Sequence, residues 1–275
     1  MIGQNGYLGS LLVSSESGNQ IIRPPIPKLS RILHDSSTAQ LSDMGIDCGN
    51  ISDVVVAASK PKLEKWSVDD MHSNIQIVQG VVRHFKNSRI IFLSSIDVYG
   101  NSPVLPIAES SDLAGNTLYA KSKLRSEKIL QENFPSDKLA IFRLPGVYGG
   151  SVCAHGLMDL FVRNIRNHQA IVLDSEDVLA VNRDWIYGPD IVELLNKLLL
   201  SNKFRGGTYN LVNGKAFRIR EWISYAERIA GSSAKLELRN PMVHHEIFDL
   251  IFDDRKLRAF FPEFSSTAIE SSFFP

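Results

Sequence analysis

Along the first half of the chain, short apolar runs alternate with stretches of helical period. Asp53-Val54-Val55-Val56-Ala57-Ala58-Ser59 is continuous and β-branched, the pattern of a strand buried on both faces. Residues 74–86 carry apolar side chains at 75, 78, 82 and 85, one face of a helix. Residues 89–94 predict the next buried strand, a helix follows around Tyr119, and Leu139-Ala140-Ile141-Phe142-Arg143 predicts another strand. Upstream, Gln20-Ile21-Ile22-Arg23 and Arg31-Ile32-Leu33-His34 read as the second and third strands, the latter ending at Asp35. Strands alternating with helices argue for an α/β fold of Rossmann type, a doubly wound parallel sheet that binds ligands at the carboxyl ends of its strands.

The rhythm loosens after Gly150. Residues 157–165 predict a helix and 170–173 a strand. Residues 191–199 form a strongly apolar helix, expected to pack on the first domain, and Ile219, Trp222, Ile223, Ala226 and Ile229 mark an amphipathic one. The change in composition divides the chain into residues 1–150 and 151–275, the second part smaller and C-terminal.

Composition adds mainly exclusions. The 275 residues are 44% hydrophobic and 22% charged, enough for a sizeable core. A formal net charge of zero gives no reason to expect nucleic acid or an anionic membrane surface as partner. No apolar run approaches the roughly 20 residues that span a bilayer, and the N-terminus lacks a basic-plus-apolar leader. Two cysteines, Cys48 and Cys153, make neither a disulfide framework nor a metal spacing, so a cytoplasmic protein without a metal is expected.

The candidate chemistry lies between residues 91 and 123. Ser95 closes a predicted buried strand, and Tyr119 and Lys123 stand four residues apart at the start of a helix, hence on one face. A phenol has a pKa of about 10, and a neighbouring ammonium favours its ionised form. Ser95 could then hold a substrate oxygen while Tyr119 moves the proton, as the interconversion of an alcohol and a ketone requires. Near the N-terminus, Gly3, Gly6 and Gly9 frame Tyr7 and Leu8 in a tight turn opening a helix, where backbone can approach a pyrophosphate. Only Met1 and Ile2 precede Gly3, so either the first strand is abbreviated or the chain starts late.

These motifs, with Ala57-Ala58, Asn74, Ser94-Ser95-Ile96-Asp97-Val98-Tyr99-Gly100 and Arg143-Leu144-Pro145-Gly146-Val147-Tyr148-Gly149, occur in the order found in extended short-chain dehydrogenases/reductases. More narrowly, the chain resembles the nucleotide-sugar epimerase/dehydratase/reductase group of which UDP-galactose 4-epimerase is a familiar member. Asn182-Arg183-Asp184-Trp185, Gly207-Thr208-Tyr209-Asn210-Leu211 and the Asp-x-x-Lys-Leu stretch ending at Leu257 agree with that group. The resemblance implies a NAD(P)-binding Rossmann domain over residues 1–150, with elements at about 185–215 returning to it, and a substrate-binding cap over 151–275. It also implies roles. Ser95, Tyr119 and Lys123 match the catalytic set. Gly3, Gly6, Tyr7, Leu8, Gly9, Arg23, Asp35, Ala57, Ala58, Lys60, Asn74, Ser94 and Pro145 fall on the cofactor side, joined there by Tyr119 and Lys123. Ser95, Asp97, Gly146, His155 and Arg183 fall on the substrate side, Arg183 with a guanidinium fork suited to a diphosphate.

Three departures stand out. Gly146 occupies a position where the group usually carries Asn, Gly150 one where it carries Pro, and residues 151–156 match no familiar segment. His155 in that segment reads either as a second acid/base or as a loop histidine without a role. The expected activity is hydride transfer at a ring carbon of a nucleotide-sugar, by a 4-keto reductase or an epimerase. A catalytically retired sensor or interaction protein, and a reductase of non-nucleotide carbonyl compounds, remain as alternatives. Elimination is disfavoured, because Ile96 replaces the acid that a 4,6-dehydratase carries after its Ser/Thr, and Asp97 stands in the place of its glutamate base. The second strand ends in Ile22-Arg23-Pro24 without a carboxylate for a ribose 2′-hydroxyl, which favours NADP over NAD. A homodimer is left open.

Overall fold

The parallel sheet expected from the alternating pattern is present in a computed structural model that describes residue 2 and residues 47–60, 65–102, 104–149, 156–200, 204–239 and 248–273. Gly3, Gly6, Tyr7, Leu8, Gly9, Arg23, Asp35, Gly150 and His155 lie outside the described residues. The chain divides into two units, residues 1–100, 112–144 and 191–209 in the first and residues 101–111, 145–190 and 210–275 in the second.

In the first unit, strands β1 (Asp53–Val56), β2 (Arg89–Ser95) and β3 (Leu139–Leu144) run side by side, and β8 (Gly207–Asn210) follows β3 in the order β1-β2-β3-β8. Both β1/β2 and β2/β3 are parallel, with Val56 opposite Phe92 and Ser95 opposite Leu144. Ile2 extends the ladder beyond β1: its N–H donates to the Val55 carbonyl, and its carbonyl accepts from Ala57 N–H, both at 2.8 Å.

The strands are apolar at consecutive positions because helices must cover a parallel sheet on both faces. On one face Val54, Val56, Ile90, Phe92 and Ile141 pack with Ile77, Val78 and Val81 of helix α1 (Val68–His84) and with Phe85, which caps its end. Ile129 and Leu130 of helix α2 (Leu118–Asn133) join the same cluster. Helix α1 begins six residues before the apolar face predicts. Ser67 caps it, accepting from Asp70 N–H at 3.2 Å, while the Asp70 carboxylate accepts from Ser67 N–H at 2.8 Å. Such a box satisfies two of the N–H groups that the first turn of any helix leaves unpaired.

The second unit holds three strand pairs: β4 (Gly146–Tyr148) with β7 (Trp185–Tyr187), β5 (Ile171–Leu173) with β10 (Leu236–Leu238), and β6 (Asn182–Arg183) with β9 (Phe217–Arg218). Helices α3 (Leu157–Arg166) and α5 (Ile219–Ala230) bury one face each against an aromatic core. Trp185 and Trp222 lie with centroids 4.5 Å apart, and Tyr148, Phe161 and Phe217 surround them. Trp222 Nε1 donates to the Arg183 carbonyl at 3.1 Å, so the indole keeps its polar partner inside the core. Helix α4 (Gly188–Leu200) leads into residues of the first unit, and the short helices α6 (Arg255–Phe260) and α7 (Ile269–Phe273) close the chain. Among the described residues no helix is long and apolar enough to cross a membrane.

Candidate active site

Strand β2 delivers Ser95 at its carboxyl end, where the ladder stops and the chain enters a 3-10 turn, Ile96–Tyr99. Ser95 caps that turn, its Oγ accepting from Asp97 N–H at 3.2 Å. The segment leading into α2 then passes very close by. A Cβ at Gly115 would stand 2.4 Å from the Asp97 carbonyl oxygen and 2.7 Å from the Ala120 Cβ, so only glycine permits this approach. Thr117 caps α2 by accepting from Ala120 N–H at 3.1 Å, which places Tyr119 in the first helical turn and Lys123 one turn further.

These two elements bring together the three residues singled out in the sequence. Tyr119 is half-buried and hydrogen-bonds with the Ser95 hydroxyl. Lys123 is buried; its Nζ donates to the Leu93 carbonyl at 2.8 Å and lies 5.8 Å from the centroid of the Tyr119 ring. Burial draws the Lys123 ammonium down to about 8, against the opposing field of Glu127. The phenol departs from the sequence expectation. Burial and the negative Asp97 push the Tyr119 pKa well up, and only the hydrogen bond with Ser95 acts the other way. Adjacency to Lys123 does not suffice to ionise it, because Nζ is turned towards a backbone carbonyl. At neutral pH Tyr119 therefore holds its proton.

Around this set stand further residues of the first unit. Asn74 Nδ2 donates to Ser59 Oγ at 3.2 Å and to Ser122 Oγ at 3.5 Å, and Ser122 in turn donates to the Tyr119 carbonyl at 2.8 Å. Ala57 and Ala58 close β1 with nothing larger than a methyl group. Lys60 is engaged elsewhere: its Nζ pairs with Asp70 at 3.0 Å and donates to the Lys65 carbonyl at 2.8 Å, at the start of α1. A role at a cofactor phosphate would require that pair to open. Ser94 donates to Glu127 Oε1 at 2.5 Å rather than pointing to a ligand.

Pro145, Gly146 and Arg183 belong to the second unit. The departure at Gly146 has a steric cause. A Cβ there would stand 2.5 Å from Trp185 Cδ1 and 2.7 Å from its Nε1, so the indole takes the space an Asn side chain would need. Arg183 is half-buried, with Nη1 donating to the carbonyls of Asn182 at 3.0 Å and Phe248 at 2.5 Å.

Three residues beside the site escape the sequence reading. Trp66 sets its ring edge-on against Tyr119, centroids 5.2 Å apart at 78°. Glu127 and Arg143 form a buried ion pair at 2.7 Å, Glu127 one helical turn beyond Lys123 on α2. Two signals for the pair were available: Glu127 continues the i, i+4, i+8 row of Tyr119 and Lys123, and a lone arginine in an apolar strand demands a buried partner. No comparable signal marks Trp66.

Comparison with known proteins bears on the family and the fold. The model of the NAD dependent epimerase/dehydratase family matches residues 32–211. The bifunctional UDP-glucose 4-epimerase and UDP-xylose 4-epimerase 3 of Arabidopsis thaliana is 26% identical over 179 residues, 54% of this chain and 49% of that protein. The chain spans about half the length of the curated relatives it matches. Among solved structures, MoeE5 in complex with UDP-glucose and NAD superposes with a TM-score of 0.78 at 18% identity, over 99% of this chain and 94% of that one. RMD from Pseudomonas aeruginosa, complexed with NADPH, gives 0.75 at 19% identity, over 98% and 94%.

Proposed function

Because the chain belongs to the NAD dependent epimerase/dehydratase family, we propose that it is a NAD(P)-dependent oxidoreductase acting at a ring carbon of a nucleotide-sugar, as a 4-keto reductase or a 4-epimerase. The observation that carries this reading is the convergence of Ser95, Tyr119 and Lys123 where the carboxyl end of β2 meets the first turns of α2. Ala57, Ala58 and Asn74 suit a dinucleotide, since methyl groups at the end of β1 and a neutral amide on α1 leave room without placing charge against it. The nicotinamide, when bound, supplies or accepts the hydride.

The protein's part is proton handling and alignment. Ser95 orients the oxygen of the reacting carbon through its hydroxyl. Tyr119 gives its phenolic proton to that oxygen when a ketone is reduced and recovers it when an alcohol is oxidised. Lys123, fixed by the Leu93 carbonyl, keeps a positive charge near the phenolate that proton donation leaves behind. A phenol protonated at neutral pH can serve as donor in the reducing half-reaction, which a reductase and an epimerase share. Arg183 would meet the substrate diphosphate, and the UDP-sugar specificities of the Arabidopsis relative point to that substrate class.

The decisive test is a product analysis. With reduced cofactor and a 4-keto-6-deoxy sugar nucleotide, or with a nucleotide-hexose and catalytic NAD(P), the protein should yield reduced or epimerised sugar. It should yield no 4-keto-6-deoxy product from a nucleotide-glucose, because Ile96 cannot protonate a leaving hydroxyl. Accumulation of that product at catalytic rates would overturn the assignment. Cofactor choice is expected to favour NADP(H), because Arg23 at the end of the second predicted strand could pair with a 2′-phosphate and no carboxylate stands there for a 2′-hydroxyl. Fluorescence titration with both cofactors checks it, and tighter binding of NAD(H) would defeat it.

A further inference from the structure

We propose that Glu127 is a positioning residue of the active site: one helical turn beyond Lys123, it keeps Lys123 Nζ in its ammonium form and, through Ser94, anchors the strand end that presents Ser95. This rests on the functional reading above only in taking Lys123 as part of the reacting set.

The carboxylate is fully engaged. Oε1 accepts from Ser94 Oγ at 2.5 Å and from Arg143 Nε at 3.2 Å, while Oε2 accepts from Arg143 Nη2 at 2.7 Å. Arg143 Nη1 donates onward to Tyr99 Oη at 2.9 Å, tying the turn after Ser95 into the same cluster. Glu127, Arg143 and Ser94 are each at most 3% exposed. Two cations, Lys123 and Arg143, thus share one buried carboxylate. Arg143 takes its hydrogen bonds, and Lys123 receives its field.

The surroundings of Lys123 leave that field unrivalled. From α2 it faces the neutral Tyr119 and Glu127; from β2, the Leu93 carbonyl and the Phe92 ring at 5.0 Å. Arg143 on β3 is bound to Glu127 and carries the wrong sign, Asp97 from the turn acts on Tyr119, and Asn74 from α1 is uncharged. Burial alone favours loss of the Lys123 proton, and Glu127 is the charge that opposes it.

The test is a titration of the Lys123 side chain by NMR in the full chain carrying isotope-labelled lysine, its resonance assigned with Lys123→Arg. Glu127→Gln should lower the Lys123 midpoint by about one pH unit. An unchanged midpoint in a folded Glu127→Gln protein would overturn the proposal, since a purely structural carboxylate would alter stability and leave the titration alone. If Glu127→Gln does not fold, Glu127→Gln with Arg143→Met removes both members of the pair. The midpoint should then still fall, though less, because the negative end of the pair is the one whose field reaches Lys123. A midpoint equal to or above that of the unsubstituted protein overturns the proposal there as well. No substrate enters the measurement. A shifted midpoint in a protein inactive on nucleotide-sugars would keep the role of Glu127 and discard the functional reading; an active protein with an unshifted midpoint would do the reverse.

Discussion

Tyr119→Phe should reduce turnover by about two orders of magnitude or more, the scale of a lost proton donor. The substitution removes one oxygen and keeps the ring, so the edge contact with Trp66 and the packing at the start of α2 survive. Cofactor affinity should be nearly unchanged, because Lys123 is held by the Leu93 carbonyl and does not depend on the phenol. The loss should appear in kcat and in kcat/KM alike, as expected for an interaction that strengthens only in the transition state. Steady-state kinetics with the nucleotide-sugar substrate, alongside a cofactor titration, measures both quantities. Unchanged turnover in that variant would remove Tyr119 from the mechanism.

The largest effect on stability is expected from Arg143→Met. The guanidinium makes two hydrogen bonds to Glu127 and one to Tyr99, and both members of the ion pair are almost fully enclosed. Removing the cation leaves a carboxylate buried beside β2 with Ser94 as its remaining hydrogen-bond donor within the cluster. Breaking one side of a buried pair costs about 3–5 kcal/mol, whereas replacing both sides with apolar groups of similar volume costs far less. Urea denaturation should therefore rank the unsubstituted protein first, Arg143→Met with Glu127→Leu close behind, and Arg143→Met alone well below. A single variant less than about 1 kcal/mol weaker than the starting protein would mean that water or a rearranged lysine neutralises Glu127, contrary to the burial seen.

What the sequence disclosed depended on how local each signal is. The continuous runs at 53–59, 89–94 and 139–143 read as buried strands, and β1, β2 and β3 sit there in parallel, β1 stopping at Val56. Tyr119 and Lys123 were legible because one helix sets their spacing, and Ser95 because a strand end follows from the apolar run before it. The start of α1 was written in Ser67 and Asp70, a cap that apolar periodicity cannot register. The direction of the Tyr119 pKa was out of reach for another reason. It depends on where Nζ turns and how near Asp97 comes, both of them products of tertiary placement. Trp66 was equally hidden, since nothing between Lys65 and Ser67 announces an aromatic contact made 53 positions away in the chain.

The indole of Trp185 across Gly146 carries a consequence for descent. An ancestor with Asn at position 146 could not have held Trp185 as it stands now, nor could this chain regain the amide by a single codon change while the indole remains. A side chain at 146 and the large ring at 185 exclude one another, so any route from Asn to glycine at 146 would have to clear 146 before or together with the arrival of the ring. Once the ring had settled among Phe161 and Trp222, reversal at 146 alone became a step into a clash. The pair works as a ratchet, and lineages that keep a large aromatic residue at 185 should keep the glycine opposite it.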